Sequence, residues 1–296
     1  MSASPAAFSS MFSMAPPLLP LLLGLVAAPL AGGLVIGLDR RLTARLQGRL
    51  GPPILQPFFD VLKLLGKSAT ASSPWPAICG QAHLMAAATA TTLFFMGGDL
   101  LLVLFVQAAA AAFLAGGALA AASPYSHAGG QREVLQMAAY EPLLLLTVAG
   151  LFLETGSFKV SDIFAFGTPL LPRLPLLYLA LGLALTIKLR KSPLDTAASA
   201  HAHQELVRGV YTEYSGPFLG LVEIAHWYET ALILGLVALF WASSAWGMLL
   251  LVAVTWLAEI VLDNLTARLT WRWMLGKVWA VGLALCLVNL LWLRWS

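Results

Sequence analysis

The chain has 296 residues, 59% of them hydrophobic and only 10% charged, with a formal net charge of +3. Soluble domains run nearer half apolar and a quarter charged, so this composition excludes an ordinary soluble domain. The basic residues lie beside apolar runs rather than on a polar face, which also argues against a nucleic-acid partner.

At roughly 20 residues per crossing, the apolar runs predict eight spans, at 16–38, 79–97, 100–122, 134–154, 170–189, 218–241, 245–264 and 273–293. The expected fold class is an all-α membrane protein, one integral-membrane domain over residues 1–296. The opening segment SASPAAFSSMFSMAPP holds no Lys or Arg, so it lacks the charged region of a cleaved leader, and the first span is expected to be retained. In the loop that follows, QPFFDVLKLLGK (56–67) sets Asp60, Lys63 and Lys67 on one helical face and Phe58, Phe59, Leu62 and Leu65 away from it. That pattern predicts a short amphipathic helix in the membrane interface. Spans two and three are Ala-rich and separated only by Gly97, Gly98 and Asp99, as in a helical hairpin.

Basic residues orient the bundle. The loops after spans one, three, five and seven carry fourteen of the 17 Lys and Arg, leaving only Lys159, Arg173 and Arg294 for the other side. The positive-inside rule then puts those loops, 39–78 and 190–217 above all, in the cytoplasm and both termini outside. This is the expectation for a multi-pass protein of a prokaryotic plasma membrane.

The polar stretch 190–229 dominates the chain: RKSPLDTAASAHAHQELVRGVYTEYSGPFLGLVEIAHWYE. It leads directly into an acidic span. Ionisable groups inside spans are costly and point to function. Glu141 lies midway along span four between Tyr140 and Pro142, and the proline frees a carbonyl one turn back for a neighbouring side chain or water. Glu223, His226 and Glu229 step round span six by about 60° each, a broad polar stripe. Glu259 and Asp263 share one face of span seven. A buried carboxylate holds its proton to higher pH, and a row of such groups bridged by water is what a proton relay needs. Each group could instead be satisfied by an Arg, a Lys or a helix end. Five acidic groups on three spans favour a relay or ion path. Asp99 and Glu154, at span ends, read as solvated.

Other chemistry is sparse. His201, His203 and Glu205 have metal-like spacing but no third and fourth ligand, so no metal is expected. Cys79 and Cys286 lie in apolar surroundings and form no CxxC. There is no phosphate-binding glycine loop and no Ser/His/Asp set.

Several motifs stand together: RLQGRLGP at 45–52 continuing to Gln56, Asp60, Lys63 and Lys67; QMAAYE at 136–141; SPLD at 192–195; QELVRG at 204–209; TEYSG at 212–216. With them the chain resembles subunit 1 of respiratory NADH dehydrogenase (complex I) and its homologues in membrane-bound hydrogenases, over about residues 20–290. Quinone-reducing members of that family usually have Phe where Leu194 stands, and a Glu-x-Glu pair where this chain has Ala and Ser before His201. With EIAHWYE at 223–229, this version looks like the Ech-type and carbon-monoxide-induced energy-converting nickel–iron (NiFe) hydrogenases.

The resemblance implies a non-catalytic membrane anchor that links electron transfer to H⁺ or Na⁺ translocation. Its cytoplasmic loops would dock a soluble module, an iron–sulfur small subunit with a NiFe large subunit, and its spans would join antiporter-like membrane subunits within the lipid. Fe–S clusters and the NiFe centre would belong to those partners, with no cofactor bound by this chain. The expected ion path is Glu141, Glu223, His226, Glu229, Glu259 and Asp263; the expected docking residues are Arg45, Arg49, Asp60, Lys63, Asp195, Glu205, Arg208 and Glu213. A quinone-site subunit of an NADH dehydrogenase-like complex is the alternative. A self-contained transporter lacks the expected repeats.

Overall fold

The structure, a computed structural model, describes residues 18–70, 73–197 and 208–295. Helices make up the described part: α1 (Leu18–Leu46), α2 (Gln56–Leu65), α3 (Trp75–Phe95), α4 (Leu100–Leu119), α5 (Pro124–Thr155), α6 (Val160–Ala165), α7 (Pro175–Lys188), α8 (Gly216–Leu239), α9 (Ala245–Leu265) and α10 (Trp271–Trp295). All of these except α2, α6 and α7 are long and apolar enough to cross a bilayer. The chain is an all-α, multi-pass membrane protein.

The helices begin and end where local chemistry dictates. The Gly97–Gly98 turn forms the expected hairpin between α3 and α4, with Gly97 at φ +77°. Asp99 is not merely solvated: its Oδ1 accepts from the N–H groups of Leu101 and Leu102 at 2.8 and 3.2 Å, capping α4. The amphipathic helix forms as α2. Its Phe59, Leu62 and Leu65 are exposed, whereas Phe58 turns inward against Trp227, with ring centroids 4.7 Å apart.

Helix α5 departs from expectation by starting ten residues before 134, at Pro124. Its 32 residues rise about 48 Å, well beyond the ~30 Å hydrocarbon layer. Arg132 and Glu133 therefore ride on the protruding end of a helix, where a loop before residue 134 was expected.

Helix α7 departs in the opposite sense. A 20-residue span over 170–189 was expected, but the helix has 14 residues, a rise of about 21 Å. Pro172 and Pro175 explain its late start, because the residue before a proline is pushed out of the helical region. A helix end at depth needs its donors satisfied within the protein. Asn289 of α10 does this: its Oδ1 accepts from Leu176 N at 2.9 Å and Leu177 N at 3.1 Å, and its Nδ2 donates to Arg173 O at 3.0 Å. Phe240 O accepts from both Leu170 N and Leu171 N. Glu154, expected to be solvated, is largely covered and bonded to Arg173 in this same region.

Helix α8 is the central post, packed against α1, α2, α3, α7 and α9. Gly32 and Gly33 let α1 approach it closely, since a Cβ at Gly32 would collide with the Trp227 carbonyl. Helices α9 and α10 lie at the periphery and present Trp246, Leu250, Val288 and Trp292 outward, as a lipid-facing surface requires. Two stretches are π-helical, Leu23–Ala27 in α1 and Val278–Leu283 in α10.

Candidate functional site

The four residues that close α7 organise the site. Lys188 ends the helix, and Arg190 turns the chain in a left-handed conformation (φ +57°). Cations at a helix C-terminus sit favourably against its carbonyls. Lys188, Arg190 and Lys191 then fan out to different helices, and each meets at least one carboxylate.

Lys191 is buried between α1 and α9. Its Nζ is 2.5 Å from Asp39 Oδ2 and 3.3 Å from Asp263 Oδ2, while Asp263 Oδ1 accepts Ser192 N at 2.8 Å. Arg190 reaches α5 and binds Glu133 fork to fork, at 2.5 and 2.9 Å. Glu133 is only 3% exposed. Burial alone would pull the Arg190 pKa down; the Glu133 carboxylate beside it outweighs that and holds it well above its ordinary value. Asp195 lies 3.9 Å from Arg190 and 3.7 Å from Arg268, with Gln136 Nε2 donating to it at 3.3 Å. Burial pushes the Asp195 carboxyl above the usual range, against the pull of Arg190 and Arg268.

Lys188 points into the bundle. Its Nζ is 3.4 Å from Glu229 Oε1 on α8 and 4.9 Å from the centroid of the Tyr140 ring on α5. The same Glu229 oxygen accepts Gln107 Nε2 of α4 at 2.6 Å. His226 Nδ1 stands 3.7 Å from Glu229 Oε2, an ion-pair distance beyond hydrogen-bond reach. Gln107 also lines a small cavity of about 40 Å³ between α4 and α5, together with Tyr140 and Glu141. That is room for at least one water. Gln107 Oε1, Tyr140 Oη and Glu141 Oε1 are buried without a hydrogen-bond partner among the described residues.

Glu229, His226 and Glu141 thus gather around Gln107 and Lys188. Glu223 falls elsewhere, in a larger cavity of about 280 Å³ at the loop face, with Arg40, Asp60, Lys63, Lys67 and Arg208. Asp263 is held by Lys191. Glu259, one turn earlier, is 4% exposed and its Oε2 has no hydrogen-bond partner among the described residues. The predicted stripe on α8 therefore divides: Glu223 lines the loop-face cavity, while Glu229, with His226 beside it, is held by Lys188 and Gln107.

Of the docking residues, Arg45, Arg49 and Arg208 are exposed. Lys63 is also exposed, Asp60 pairs with Arg40 at 2.9 Å, and Glu213 is half-buried. Asp195 is corrected: at 2% exposure, inside the Arg190 cluster, it is unavailable to a partner's surface. Glu205, His201 and His203 lie outside the described residues. Among the described residues no group of three or more His, Cys, Asp or Glu side chains could hold a metal ion.

The sequence reading passed over Glu133, Lys188, Lys191, Gln107 and Asp39. The one available signal was KLRK at 188–191, used there only for orientation. Basic residues so close to a span end have apolar helices on every side, and each needs a buried carboxylate.

A family model described as NADH dehydrogenase matches residues 19–294. The chain is 29% identical over 188 residues to a subunit of the NADH-quinone oxidoreductase of Syntrophobacter fumaroxidans, covering 58% of this chain and 56% of that protein. It is 30% identical over 186 residues to the NADH-quinone oxidoreductase subunit of the same name from Cereibacter sphaeroides, again covering 58% and 56%. The chain thus spans little more than half the length of these curated relatives. A chain in the structure of the membrane-bound sulfane sulfur reductase, an archaeal respiratory membrane complex, superimposes with a TM-score of 0.81 at 22% identity, covering 94% of this chain and 99% of that one. That likeness is one of fold.

Proposed function

The chain belongs to the NADH dehydrogenase family, and from that premise we propose that it is the membrane anchor and ion-coupling subunit of an energy-converting hydrogenase. In this reading loops 39–78 and 190–217 face the cytoplasm and dock the iron–sulfur and NiFe subunits through Arg45, Arg49, Lys63 and Arg208. The soluble partners hold the redox centres. The membrane face meets lipid and antiporter-like subunits. The observation that carries the reading is the buried polar band that starts at Lys191 and Arg190, just under the loop face, and continues through Lys188, Glu229 and Gln107 to Glu141. A buried band of this kind is costly in an apolar bundle, and it links the docking side with the core. Moving H⁺ or Na⁺ along carboxylates would use it.

A second reading, the membrane subunit of a quinone-reducing complex, is favoured by the names of the relatives above. In it the 280 Å³ cavity between α1, α2 and α8 would serve the substrate. One preparation separates the two: the intact complex, purified through a tag on this chain in mild detergent. Nickel with viologen-driven hydrogen evolution is the expected result. Iron without nickel, with quinone reduction, would overturn the hydrogenase reading in favour of the second. Within the complex, Glu141→Gln and Glu229→Gln are expected to abolish ion translocation while hydrogen evolution continues. Translocation retained in both variants would remove these residues from the path.

A further inference from the structure

Two bilayer-crossing helices carry internal prolines, Pro29 in α1 and Pro142 in α5. A proline has no N–H, so the carbonyl four residues earlier loses its helical partner. In hydrocarbon no water replaces that partner, and an orphaned carbonyl is expensive. In α5 the orphan is Ala138 O; in α1 the turn before Pro29 is π-helical, and the carbonyl beside the proline that takes an outside donor is Leu25 O. Each is met by an aromatic side chain from another helix. Tyr228 Oη donates to Leu25 O at 2.6 Å, and Trp279 Nε1 donates to Ala138 O at 3.2 Å.

Both bonds adjoin the buried band. Tyr228 directly precedes Glu229, and Glu141 directly precedes Pro142. The second junction is the more elaborate. Trp279 belongs to the π-helical stretch Val278–Leu283 of α10. Gly282, in the same stretch, packs on Leu143, where an added Cβ would stand 2.8 Å from Leu143 Cδ1. Helix α10 therefore holds α5 on both sides of Pro142, by the carbonyl before it and the side chain after it. π-Helical turns occur disproportionately at functional sites. The Trp279 ring itself is 45% exposed, on the outer side of the bundle.

We propose that Trp279 is a positioning residue for Glu141: its indole N–H latches the proline kink of α5 and thereby fixes where the Glu141 carboxyl lies in the cavity it shares with Gln107 and Tyr140. Trp279 is not among the residues that line the cavity. It acts through the backbone of residues 138–142. The proposal rests on the reading of Glu141 as part of the ion path, but it makes a geometric claim that can be tested apart from that reading.

The test is a double-mutant cycle of Trp279→Phe and Pro142→Ala in the full complex. Phenylalanine keeps the ring and removes the donor. Alanine at 142 restores a backbone N–H for Ala138 O, so the indole is no longer needed. The probe is dicyclohexylcarbodiimide, which labels buried protonated carboxyls; labelling of Glu141 is read by mass spectrometry of its peptide. With Pro142 present, W279F is expected to change the labelling rate roughly two- to tenfold, the range one neutral hydrogen bond commands, and to lower ion translocation comparably. In the P142A background, W279F is expected to change neither. An equal effect in both backgrounds, or none in either, would overturn the latch. If W279F fails to assemble, W279F/P142A must assemble; failure of both would also overturn it. Normal translocation in E141Q would sink the ion-path reading, while a proline-dependent labelling change would still uphold the latch.

Discussion

Lys188→Met removes the cation beside Glu229 and keeps a side chain of similar length. The two groups stand 3.4 Å apart, and each side chain is 8% exposed. Breaking a buried pair by removing one partner costs about 3–5 kcal/mol, because the remaining charge is left uncompensated, whereas replacing both partners by apolar groups is often neutral. Gln107 still donates to Glu229 at 2.6 Å, which places the expected cost near the lower end, about 3 kcal/mol. For a chain of this size that is a fall of roughly 6–12 °C in the unfolding midpoint. The assay is thermal unfolding of the detergent-purified chain with a thiol-reactive fluorophore. In a Cys79→Ser background, which removes the half-buried second thiol, Cys286, with 0% exposure, becomes reactive only when the bundle opens. The double variant K188M/E229M is expected to recover most of the loss. A midpoint for K188M within about 2 °C of the parent, or a double variant as unstable as the single, would refute the pairing argument.

Two further outcomes follow from the same geometry. Asn289→Ala strips the acceptor from Leu176 and Leu177 and the donor from Arg173 O; at about 1–3 kcal/mol per unsatisfied buried group, it should lower the midpoint more than Asn289→Asp, which keeps the acceptor, and the reverse order would reject the clamp. Asp195 gives a pH effect whose sign follows from its burial. Its carboxyl is raised by burial against Arg190 and Arg268, so the folded state holds the proton more tightly than the unfolded chain, whose value is about 3.9. Its contribution is greatest below that value and is lost as pH rises through the raised folded value. Unfolding midpoints taken from pH 4 upward should therefore fall for the parent relative to Asp195→Asn; a parent that gains on the variant with rising pH would contradict the burial argument.

The parts of this fold that were legible in sequence are those set by local chemistry. Glycine and a capping aspartate mark the α3–α4 hairpin. Period marks α2. The orphaned carbonyl before Pro142 could be expected from the proline alone, although its partner Trp279 lies 141 positions away in the chain. Partners at that distance are invisible to any window. The charged start of α5 looked like loop because Arg132 and Glu133 are expensive in lipid, yet a helix can simply outrun the bilayer and pair them beyond it. Helix α7 looked long because hydropathy counts Leu170, Leu171 and Leu174 without noticing that Pro172 and Pro175 forbid a helix through them. Asp195 looked like a docking residue because a polar loop is exposed by default; here the loop folds back under Arg190.

The end of α7 also explains how docking and core could communicate in the proposed subunit. Lys188 and Arg190 are two residues apart, so the Glu229 pair and the Glu133 pair share one turn of backbone. Lys191 adds α1 and α9 to the same turn through Asp39 and Asp263. A partner that displaced residues 190–197 could not leave Lys188 in place, because the helix ends there and the segment beyond it is pinned by three carboxylates and Gln136. Interior packing and paired charges resist gradual deformation and move between discrete arrangements. Neutralising Glu229 would loosen Lys188, and loosening Lys188 would relax the grip of Arg190 on Glu133 by the same backbone. Coupling of this kind is reciprocal: if docking shifts the proton on Glu229, then the proton on Glu229 must shift docking, and Glu229→Gln should change the affinity of the soluble module as well as ion transport.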